Sequence, residues 1–273
     1  MNLLRNPGPV YGQLLVVIGA ALISLSPVFV VLSGVSATAS AFYRMALSLP
    51  PLLLLLIFIR GKIWLGARQC GIALLASIFY TLDLTCWHQS ILLIGPGLAT
   101  ILGNFQVFVL AAFSVLVLHT RVTPRLILAI PVSIIGLYLI CGVQWSTASD
   151  GFQVGVLLAL TTAFWYGGYV LFLRLLQTSF DLEGKIANLC MISILTTIIT
   201  GLVVIGSGDG FDVPSVDSWL YLTAYAIICQ VIAWLLISAG LPFTSVTVLG
   251  VVITLGAIYL GSTSTSPGEK SES

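Results

Sequence analysis

The sequence predicts an all-α polytopic membrane protein, a helical bundle of about nine transmembrane helices. Of its 273 residues, 59% are hydrophobic and only 7% are charged, whereas soluble domains carry about 25% charged residues. The apolar residues form runs long enough to cross a ~30 Å hydrocarbon core as helices. A transmembrane barrel would instead show short segments of alternating hydrophobicity.

The run Gln69–Ile94 is the helix around which we expect the other spans to pack, because it contains two ionisable residues, Asp83 and His88. A charge at this depth is costly, so it usually faces the bundle interior or a wet cavity. Helical spacing divides the polar residues into two stripes on opposite sides, which predicts a helix that lines a path. The stripes are Tyr80, Asp83, Trp87 and Ser90 on one side, and Thr81, Thr85, His88 and Gln89 on the other.

The remaining spans follow from the apolar runs and from proline and glycine. Pro27 should kink the first span, and Pro50 and Pro51 lie near the middle of the second. The first run exceeds a signal-peptide core, so we expect it to be retained. A tail rich in serine, threonine, proline and glycine, residues 262–273, is predicted to be disordered. The predicted spans are Tyr11–Leu32, Ala39–Ile59, Gln69–Ile94, Leu98–Leu118, Leu126–Val143, Phe152–Leu173, Ile186–Ile205, Trp219–Ala239 and Thr244–Gly261.

The charges of the loops predict the orientation. Basic residues gather in cytoplasmic loops of membrane proteins, and here the basic loops all fall on the side of the amino terminus. We therefore expect a multi-pass protein of the cell (inner) membrane with a cytoplasmic amino terminus. The basic residues are Arg5, Arg60, Lys62, Arg68, Arg121, Arg125, Arg174 and Lys185, and the opposite loops carry Asp150, Asp209, Asp212 and Asp217.

A weak internal repeat divides the chain. Val132–Gly136 resembles Val252–Gly256, and Asp83 and Trp87 are spaced like Gln230 and Trp234. Halves with an odd number of spans lie in opposite orientations, which makes an inverted repeat, as many transporters have. We predict one repeat over residues 11–143 and a second over 152–261. The second is incomplete, because it has no counterpart of residues 101–125, about one span.

The chain resembles the drug/metabolite transporter superfamily, in particular EamA-type transporters. Four features carry the resemblance: Phe42-Tyr43-Arg44, the span 97–118 running into a basic turn, the segment 126–142 with Gly136, and Ala163-Phe164-Trp165-Tyr166. The resemblance implies ten helices in a five-plus-five inverted repeat that moves small metabolites or drugs. The chain departs from it in having His119-Thr120-Arg121 where a glutamate often precedes a basic residue, and in lacking the ninth span.

Polar and aromatic residues within the spans are the candidates for the substrate or proton pathway. Asp83 could carry protons or contact a cationic group, or could instead neutralise Arg44. His88 could titrate or pack, and the amides could bind substrate or join helices. The aromatic residues could line a cavity or form ordinary packing. The candidates are Arg44, Asp83, Trp87, His88, Asn104, Gln106, Trp165, Tyr166, Tyr169, Gln230 and Trp234.

These observations favour a secondary carrier, most simply an exporter of small organic metabolites or drugs by alternating access. The alternative is a non-transporting or partner-dependent remnant of such a carrier, which the missing span favours. We expect a small-molecule substrate and the lipid bilayer as partners, a homodimer as an alternative to a monomer, and no nucleic acid. No enzyme motif supports catalysis, and the five cysteines lack a CxxC, so no cofactor, metal site or disulfide is expected.

Overall fold

The structure is a computed structural model that describes residues 9–63, 66–116, 131, 135–136, 145, 149–177 and 181–241. In these residues all regular secondary structure is helical, and a polytopic helical membrane fold is confirmed. The helices are α1 Pro9–Ile23, α2 Ser26–Ser33, α3 Ala37–Ala46, α4 Leu49–Phe58, α5 Ala67–Ile94, α6 Pro96–Gly103, α7 Gln106–Leu116, α8 Asp150–Gln177, α9 Leu182–Ser207, α10 Val216–Ala224, a π-helical turn Tyr225–Ile232, and α11 Ala233–Gly240.

Seven stretches of the described chain are long and apolar enough to cross a membrane. They agree with seven of the predicted spans. The two other predicted spans, 126–143 and 244–261, lie outside the described residues, as does the tail. The incomplete inverted repeat stays a prediction for the same reason. The seven spans are Val10–Ser33, Ala37–Phe58, Ala67–Ile94, Pro96–Phe113, Asp150–Gln177, Leu182–Ser207 and Val216–Gly240.

Short turns interrupt the first two spans just before their prolines. The first breaks between α1 and α2, ahead of Pro27, and the second between α3 and α4, ahead of Pro50. Proline cannot donate a backbone hydrogen bond, so a carbonyl nearby loses its helical partner. A serine hydroxyl donates to a carbonyl at each break: Ser24 to Ala20 at 2.9 Å and Ser48 to Met45 at 2.7 Å. The first two spans are therefore broken close to their prolines, and each serine hydroxyl adds a second hydrogen bond to a carbonyl that already accepts a backbone N–H.

A third break falls between α6 and α7, where the sequence contains no proline. The helix stops at Gly103, and a turn at residues 104–105 precedes α7. The Nδ2 group of Asn104 donates to the carbonyl of Thr100 at 2.8 Å. An asparagine side chain that bonds to nearby backbone competes with the regular helix. Asn104 thus shapes the backbone at the point where two helices meet the bundle interior.

Helix α5 is the central helix, as its sequence predicts. It contacts α2, α3, α6, α8 and α9. Asp83 and His88 are both buried, although they lie on different stripes, and apart from Arg68 in the first turn the exposed positions of α5 are apolar or glycine. The helix therefore has two polar sides that are both covered by protein. Its exposed large residues are Leu74, Leu75, Ile78, Leu82, Leu92 and Leu93.

Glycines allow helices to approach closely, and Gly168 and Gly240 are two examples. A Cβ atom at Gly168 of α8 would overlap the ring of Phe79 of α5, and one at Gly240 of α11 would overlap the backbone carbonyl of Gly12 of α1. Small residues allow this approach where lipid supplies no hydrophobic force between helices. The pairs α5–α8 and α1–α11 form the two most intimate helix contacts around the interior.

Outside the bundle interior, the aspartates of one set of loops and the basic residues of the other set lie at opposite ends of the bundle, with Asp181 and Glu183 beside the basic residues. Gly155, near the start of α8, lies against Ile94 at the end of α5, so the Asp150 end of α8 adjoins the last turn of α5. Thr38 at the start of α3 hydrogen-bonds to Asp209, which places the aspartate loop at that same end. The basic residues of the loop between α4 and α5 and of the α8–α9 connection lie at the other end. The described charges are therefore arranged as the sequence predicts, and the side of the membrane that each end faces stays a prediction.

Candidate functional site

Arg44 is the centre of a buried polar network in the bundle interior. It lies on α3 and is only 4% exposed. Its Nε donates to Oε1 of Gln230 at 2.9 Å, and its Nη1 donates to the hydroxyl of Tyr225 at 2.8 Å. Both partners belong to the π-helical turn of the last described span. The guanidinium therefore links the second span to that turn.

Two further residues of α5 complete the network. The hydroxyl of Tyr80 donates to the same Oε1 of Gln230 at 2.7 Å. His88 lies on the other branch, with Nε2 at 3.2 Å from the Tyr225 hydroxyl and Nδ1 at 2.6 Å from the Leu84 carbonyl. Because a carbonyl only accepts, Nδ1 carries the proton and Nε2 accepts from Tyr225. Each of these hydrogen bonds thus has one donor and one acceptor.

Arg44 also lies against two aromatic rings. Its Cζ atom is 4.9 Å from the ring centre of Tyr225 and 5.7 Å from that of Tyr80. A guanidinium over an aromatic face is attracted by the negative charge density of the ring. These rings stabilise the buried cation, and within the described residues no carboxylate forms an ion pair with it.

A cavity adjoins the network. It contains about 560 Å³ free of protein atoms, part of it open to the surroundings, and the centre of a water-sized molecule can move through about 70 Å³. One water needs roughly 10–15 Å³ on that second measure, so the cavity accepts several waters or a compact solute. The side chains and glycine that line it are Ile23, Ser24, Pro27, Arg44, Tyr80, Asp83, Trp87, Thr100, Gly103, Asn104, Gln106, Thr162 and Tyr166.

Asp83 and Arg44 line this cavity together but do not pair. Within the described residues no hydrogen bond or ion pair joins Asp83 to another side chain, although the charge of Arg44 acts on it electrostatically. Asp83 is 5% exposed, so almost all of its contact is with protein and cavity. No hydrogen bond or ion pair between Asp83 and Arg44 is therefore seen among the described residues. Both interpretations of Asp83, as a pathway residue and as a group that neutralises Arg44, stay predictions, and its place beside the cavity agrees with the first.

Three other polar groups of the cavity wall have no hydrogen-bond partner among the described residues. They are Oε1 of Gln106, Oγ1 of Thr162 and the hydroxyl of Tyr166. Gln106 and Thr162 are 2% and 4% exposed. Thr162 and Tyr166 are one turn apart on α8 and so share a face. A buried polar group without a partner costs free energy, so these groups are suited to bind whatever occupies the cavity.

The predicted site residues divide into three sets. Arg44, Asp83, Trp87, Asn104, Gln106 and Tyr166 line the cavity. His88 and Gln230 lie behind its wall, in the network that holds Arg44. Trp165, Tyr169 and Trp234 lie in aromatic packing: Trp165 against Phe79, Tyr169 stacked on Tyr80 with ring centres 4.0 Å apart, and Trp234 edge-on to Tyr169.

Sequence reasoning missed two important members of the site. Tyr225 was not a candidate, because it precedes Gln230 by five residues and an α-helix turns such residues to different faces. Thr162 was missed because threonine in a span usually bonds to its own backbone. The signal available for Thr162 was its spacing of four from Tyr166. Among the described residues no group of three or more histidine, cysteine or acidic side chains could hold a metal ion.

Comparison with known proteins agrees with this architecture. Residues 10–142 match the EamA-like transporter family. The first half of the chain belongs to this family. A solved crystal structure of a protein covers 96% of this chain and 92% of its own, with a TM-score of 0.70 and 15% identity, which shows a shared fold. No curated protein matches the chain.

The family match indicates the broad class of function. The predicted resemblance to EamA-type drug/metabolite transporters is confirmed over residues 10–142, and this match indicates a membrane transporter. Members of the EamA-like family are transporters and not enzymes. The matched segment contains Arg44, Asp83, Trp87, Asn104 and Gln106, so it contributes most of the charged and amide groups of the cavity. The boundaries of the two predicted repeats stay predictions.

Proposed function

We propose that the chain is a secondary carrier that exports small organic metabolites by alternating access, and that the cavity beside Arg44 is its substrate site. The observation that carries the proposal is the presence of two opposite charges, Arg44 and Asp83, in one cavity wall without a bond between them. A buried charge without an ion-pair partner is costly. A solute that offers each of them an opposite charge would stabilise both.

This argument favours a compact zwitterionic solute. Its carboxylate would bind Arg44, whose planar fork matches a carboxylate, and its ammonium group would approach Asp83. Trp87 and Tyr166 offer aromatic surface in the same wall, and Gln106 and Thr162 offer free polar atoms for the rest of the solute. The small volume of the cavity favours a solute of few atoms.

Asp83 also supports coupling to a proton gradient. A carboxyl group in a cavity wall deep within the membrane is typical of proton relays in transporters. If Asp83 binds either a proton or the ammonium group of the solute, the two compete for one site. Competition of this kind drives an exchange of proton for solute, and export then follows the inward proton gradient.

The binding test uses the purified protein in nanodiscs and four small probes of similar size: L-alanine, L-alaninamide, L-lactate and isopropylamine. Quenching of tryptophan fluorescence reports binding, because Trp87 lies in the cavity wall. We expect alanine to bind at least about tenfold more tightly than any analogue that lacks one charge, since each lost charge-assisted contact is worth about 1.5–3 kcal/mol. Equal binding of all four probes would contradict the proposed substrate class.

Flux in vesicles then distinguishes carrier from remnant. The purified chain is reconstituted, loaded with labelled alanine and given a proton gradient of either sign. Gradient-dependent flux supports the carrier. Binding without flux would favour the alternative, a non-transporting chain that keeps the site but lacks the ninth span. Insertion of a span after Ser245 should then restore flux.

The proposed location is the inner cell membrane, with the amino terminus in the cytoplasm. Cysteines placed singly at Asp150 and Asp212, in a variant without the five native cysteines, should react with an impermeant thiol reagent added to intact cells. A cysteine at Lys62 is the control and should react only after lysis. The opposite pattern would reverse the orientation and the direction of transport.

A further inference from the structure

We propose that Tyr225 and Gln230, which the π-helical turn brings onto one face, hold Arg44 so that its Nη2 group points toward the cavity. We call these two uncharged side chains the clamp. Because the clamp does not cancel the charge of Arg44, it sets the preference for a substrate with an anionic group. The proposal rests on the proposed function, in that it takes the cavity as the substrate site. Tyr225 and Gln230 act through Arg44, so they are positioning residues.

The first step is the geometry of the turn. Residues 225–232 form a π-helix inside a span that is otherwise α-helical. In an α-helix, residues five apart point roughly 140° away from each other. The wider turn of a π-helix joins residue i to residue i+5 and so aligns them. Tyr225 and Gln230 are five apart, and both bind Arg44. The turn is what allows one span to hold the guanidinium at two points.

The second step is that the clamp leaves part of the guanidinium free. Arg44 has five N–H donors. Nε binds Gln230 and Nη1 binds Tyr225, while the two donors of Nη2 have no partner among the described residues. Arg44 also lines the cavity. The clamp thus fixes the Nε and Nη1 side of the guanidinium and leaves its Nη2 side free to bind a ligand.

The third step is the charge of the clamp. The described groups that hydrogen-bond to Arg44 or lie under it as rings are uncharged: an amide oxygen, a phenol oxygen and two aromatic rings. A carboxylate in the same place would hold the arginine as well but would cancel its charge. Because the clamp is uncharged, the positive potential of Arg44 remains available in the cavity. An anionic group of a solute is therefore the natural counter-ion.

The fourth step is that the clamp is itself fixed from behind. Oε1 of Gln230 accepts from Tyr80 as well as from Arg44. Since arginine only donates, the amide must present its oxygen, and its orientation is determined. The hydroxyl of Tyr225 is directed by His88, whose Nε2 accepts its proton. Side chains locked by their own hydrogen bonds hold a binding group more accurately than free ones.

The test measures a preference ratio, the Kd of L-alaninamide divided by the Kd of L-alanine, for the full chain in nanodiscs. Tyr225→Phe removes one bond to Arg44 and Gln230→Leu removes the other. Each should weaken alanine binding about tenfold and leave alaninamide binding unchanged, because only the acid uses Nη2 of Arg44. Gln230→Glu is the sharper variant: it keeps a bond to Arg44 but adds a negative charge, and should bring the ratio close to one.

Cys229→Ala is the matched control. Cys229 lies in the same π-helical turn, but its thiol donates to the Leu22 carbonyl at 3.2 Å and makes no hydrogen bond to Arg44. This variant should lower the melting temperature at most, with the ratio unchanged. A merely structural role of Tyr225 and Gln230 would move the melting temperature of their variants in the same way and leave the ratio at its wild-type value.

The outcomes separate the two proposals. If the wild-type ratio is high and all three clamp variants keep it, the clamp is overturned and the proposed substrate class stands. If Gln230→Glu keeps a high ratio while Tyr225→Phe loses it, charge neutrality of the clamp is overturned. If the wild-type protein shows no preference for the acid, the proposed substrate class fails and the clamp fails with it.

Discussion

The two sides of the cavity differ in how their polar groups are bonded. On the Arg44 side, Gln230, Tyr225 and Tyr80 all bond to one another or to Arg44. On the α7–α8 side, Gln106, Thr162 and Tyr166 each bring a buried polar atom without a partner among the described residues. Both sides are polar and buried to a similar degree, yet only on the Arg44 side do the polar groups hydrogen-bond to one another.

This difference gives the two sides different roles: the Arg44 side positions a charged group, and the α7–α8 side offers free polar atoms to a solute. A fully bonded network is rigid and fixes the direction of its charged group. Buried donors and acceptors without a partner cost free energy, and this cost is removed only when a solute or water in the cavity hydrogen-bonds to them. The cavity therefore has a charge in a fixed position, that of Arg44, opposite an adaptable wall formed by the unbonded polar groups of Gln106, Thr162 and Tyr166. Substrate charge would be read on the first side, and the remainder of the solute on the second.

Arg44→Gln should have the largest effect, because it removes the centre of the bonded side. Gln230 and Tyr225 each lose a bond to a charged group, which is worth about 1.5–3 kcal/mol per bond. We expect a fall of several degrees in melting temperature and a loss of alanine binding of at least about a hundredfold. Arg44→Lys keeps the charge but not the fork and should bind at an intermediate level. Wild-type binding by Arg44→Gln would contradict the assignment of the anion site.

Asp83→Asn should come next, since Asp83 is the acidic group of the cavity. The variant should fold, because Asp83 has no bond to lose within the described residues. It should no longer couple flux to a proton gradient in vesicles. If Asp83 served only to neutralise Arg44, its loss would instead lower expression, and addition of Arg44→Gln would restore it. Full gradient-driven flux by the single variant would remove Asp83 from the mechanism.

Three tyrosines allow the comparison to be tested with one chemical change. The hydroxyl of Tyr80 bonds to Gln230, that of Tyr166 is free in the cavity wall, and that of Tyr169 is free within aromatic packing. Tyr80→Phe should lower the unfolding free energy by about 0.5–1.5 kcal/mol. Tyr166→Phe and Tyr169→Phe should not lower it, since no bond is lost.

Ligand binding then separates the last two variants. Tyr166→Phe should weaken alanine binding several-fold, and Tyr169→Phe should leave it unchanged, because only Tyr166 lines the cavity. Thermal unfolding and fluorescence quenching on the same preparations provide both measurements. An equal loss of stability in all three variants would show that the two sides of the cavity do not differ as described.

The sequence predicts the fold well because its signals are local. Long apolar runs and the two prolines at Pro27 and Pro50 are enough to locate the spans and their first two breaks. The burial of Asp83 and His88 follows from the cost of charge in lipid. The break at Asn104 was not predicted, because an asparagine interrupts a helix only when its side chain turns back to the backbone.

The site is harder to predict because it depends on contacts between distant spans. The sequence offered Asp83, in an adjacent span, as a candidate partner of Arg44, yet the bonds of Arg44 go to a turn about 180 residues further along the chain, as for Tyr225 at a separation of 181. For Trp165, Tyr169 and Trp234 the sequence left cavity lining and ordinary packing open, because composition alone does not distinguish an aromatic residue in packing from one at a surface. A π-helical turn has no sequence signature comparable to that of proline.

The smallest predicted effect concerns Gly103, at the end of α6, where the adaptable wall meets Trp87. A Cβ atom there would lie 3.3 Å from Cγ2 of Thr162 and 3.8 Å from Cδ1 of Trp87. Gly103→Ala therefore crowds the cavity slightly and leaves every bond of the Arg44 side in place. We expect alanine binding to weaken about threefold to tenfold, since one methyl group in a pocket is worth about 1–3 kcal/mol at most.

Gly71→Ala on α5 is the control for the change in helix propensity. No atom lies within 4 Å of a Cβ at Gly71, so this variant makes the same substitution in open space. Replacing glycine by alanine in a helix favours folding by about 0.5–1 kcal/mol. Gly71→Ala should show that gain with unchanged binding, whereas Gly103→Ala should show a smaller gain with weaker binding. Because the Arg44 side is untouched in both, the preference for acid over amide should stay constant. A fall of that preference in Gly103→Ala would mean that the two sides of the cavity are coupled and that the wall helps to set the charge recognised.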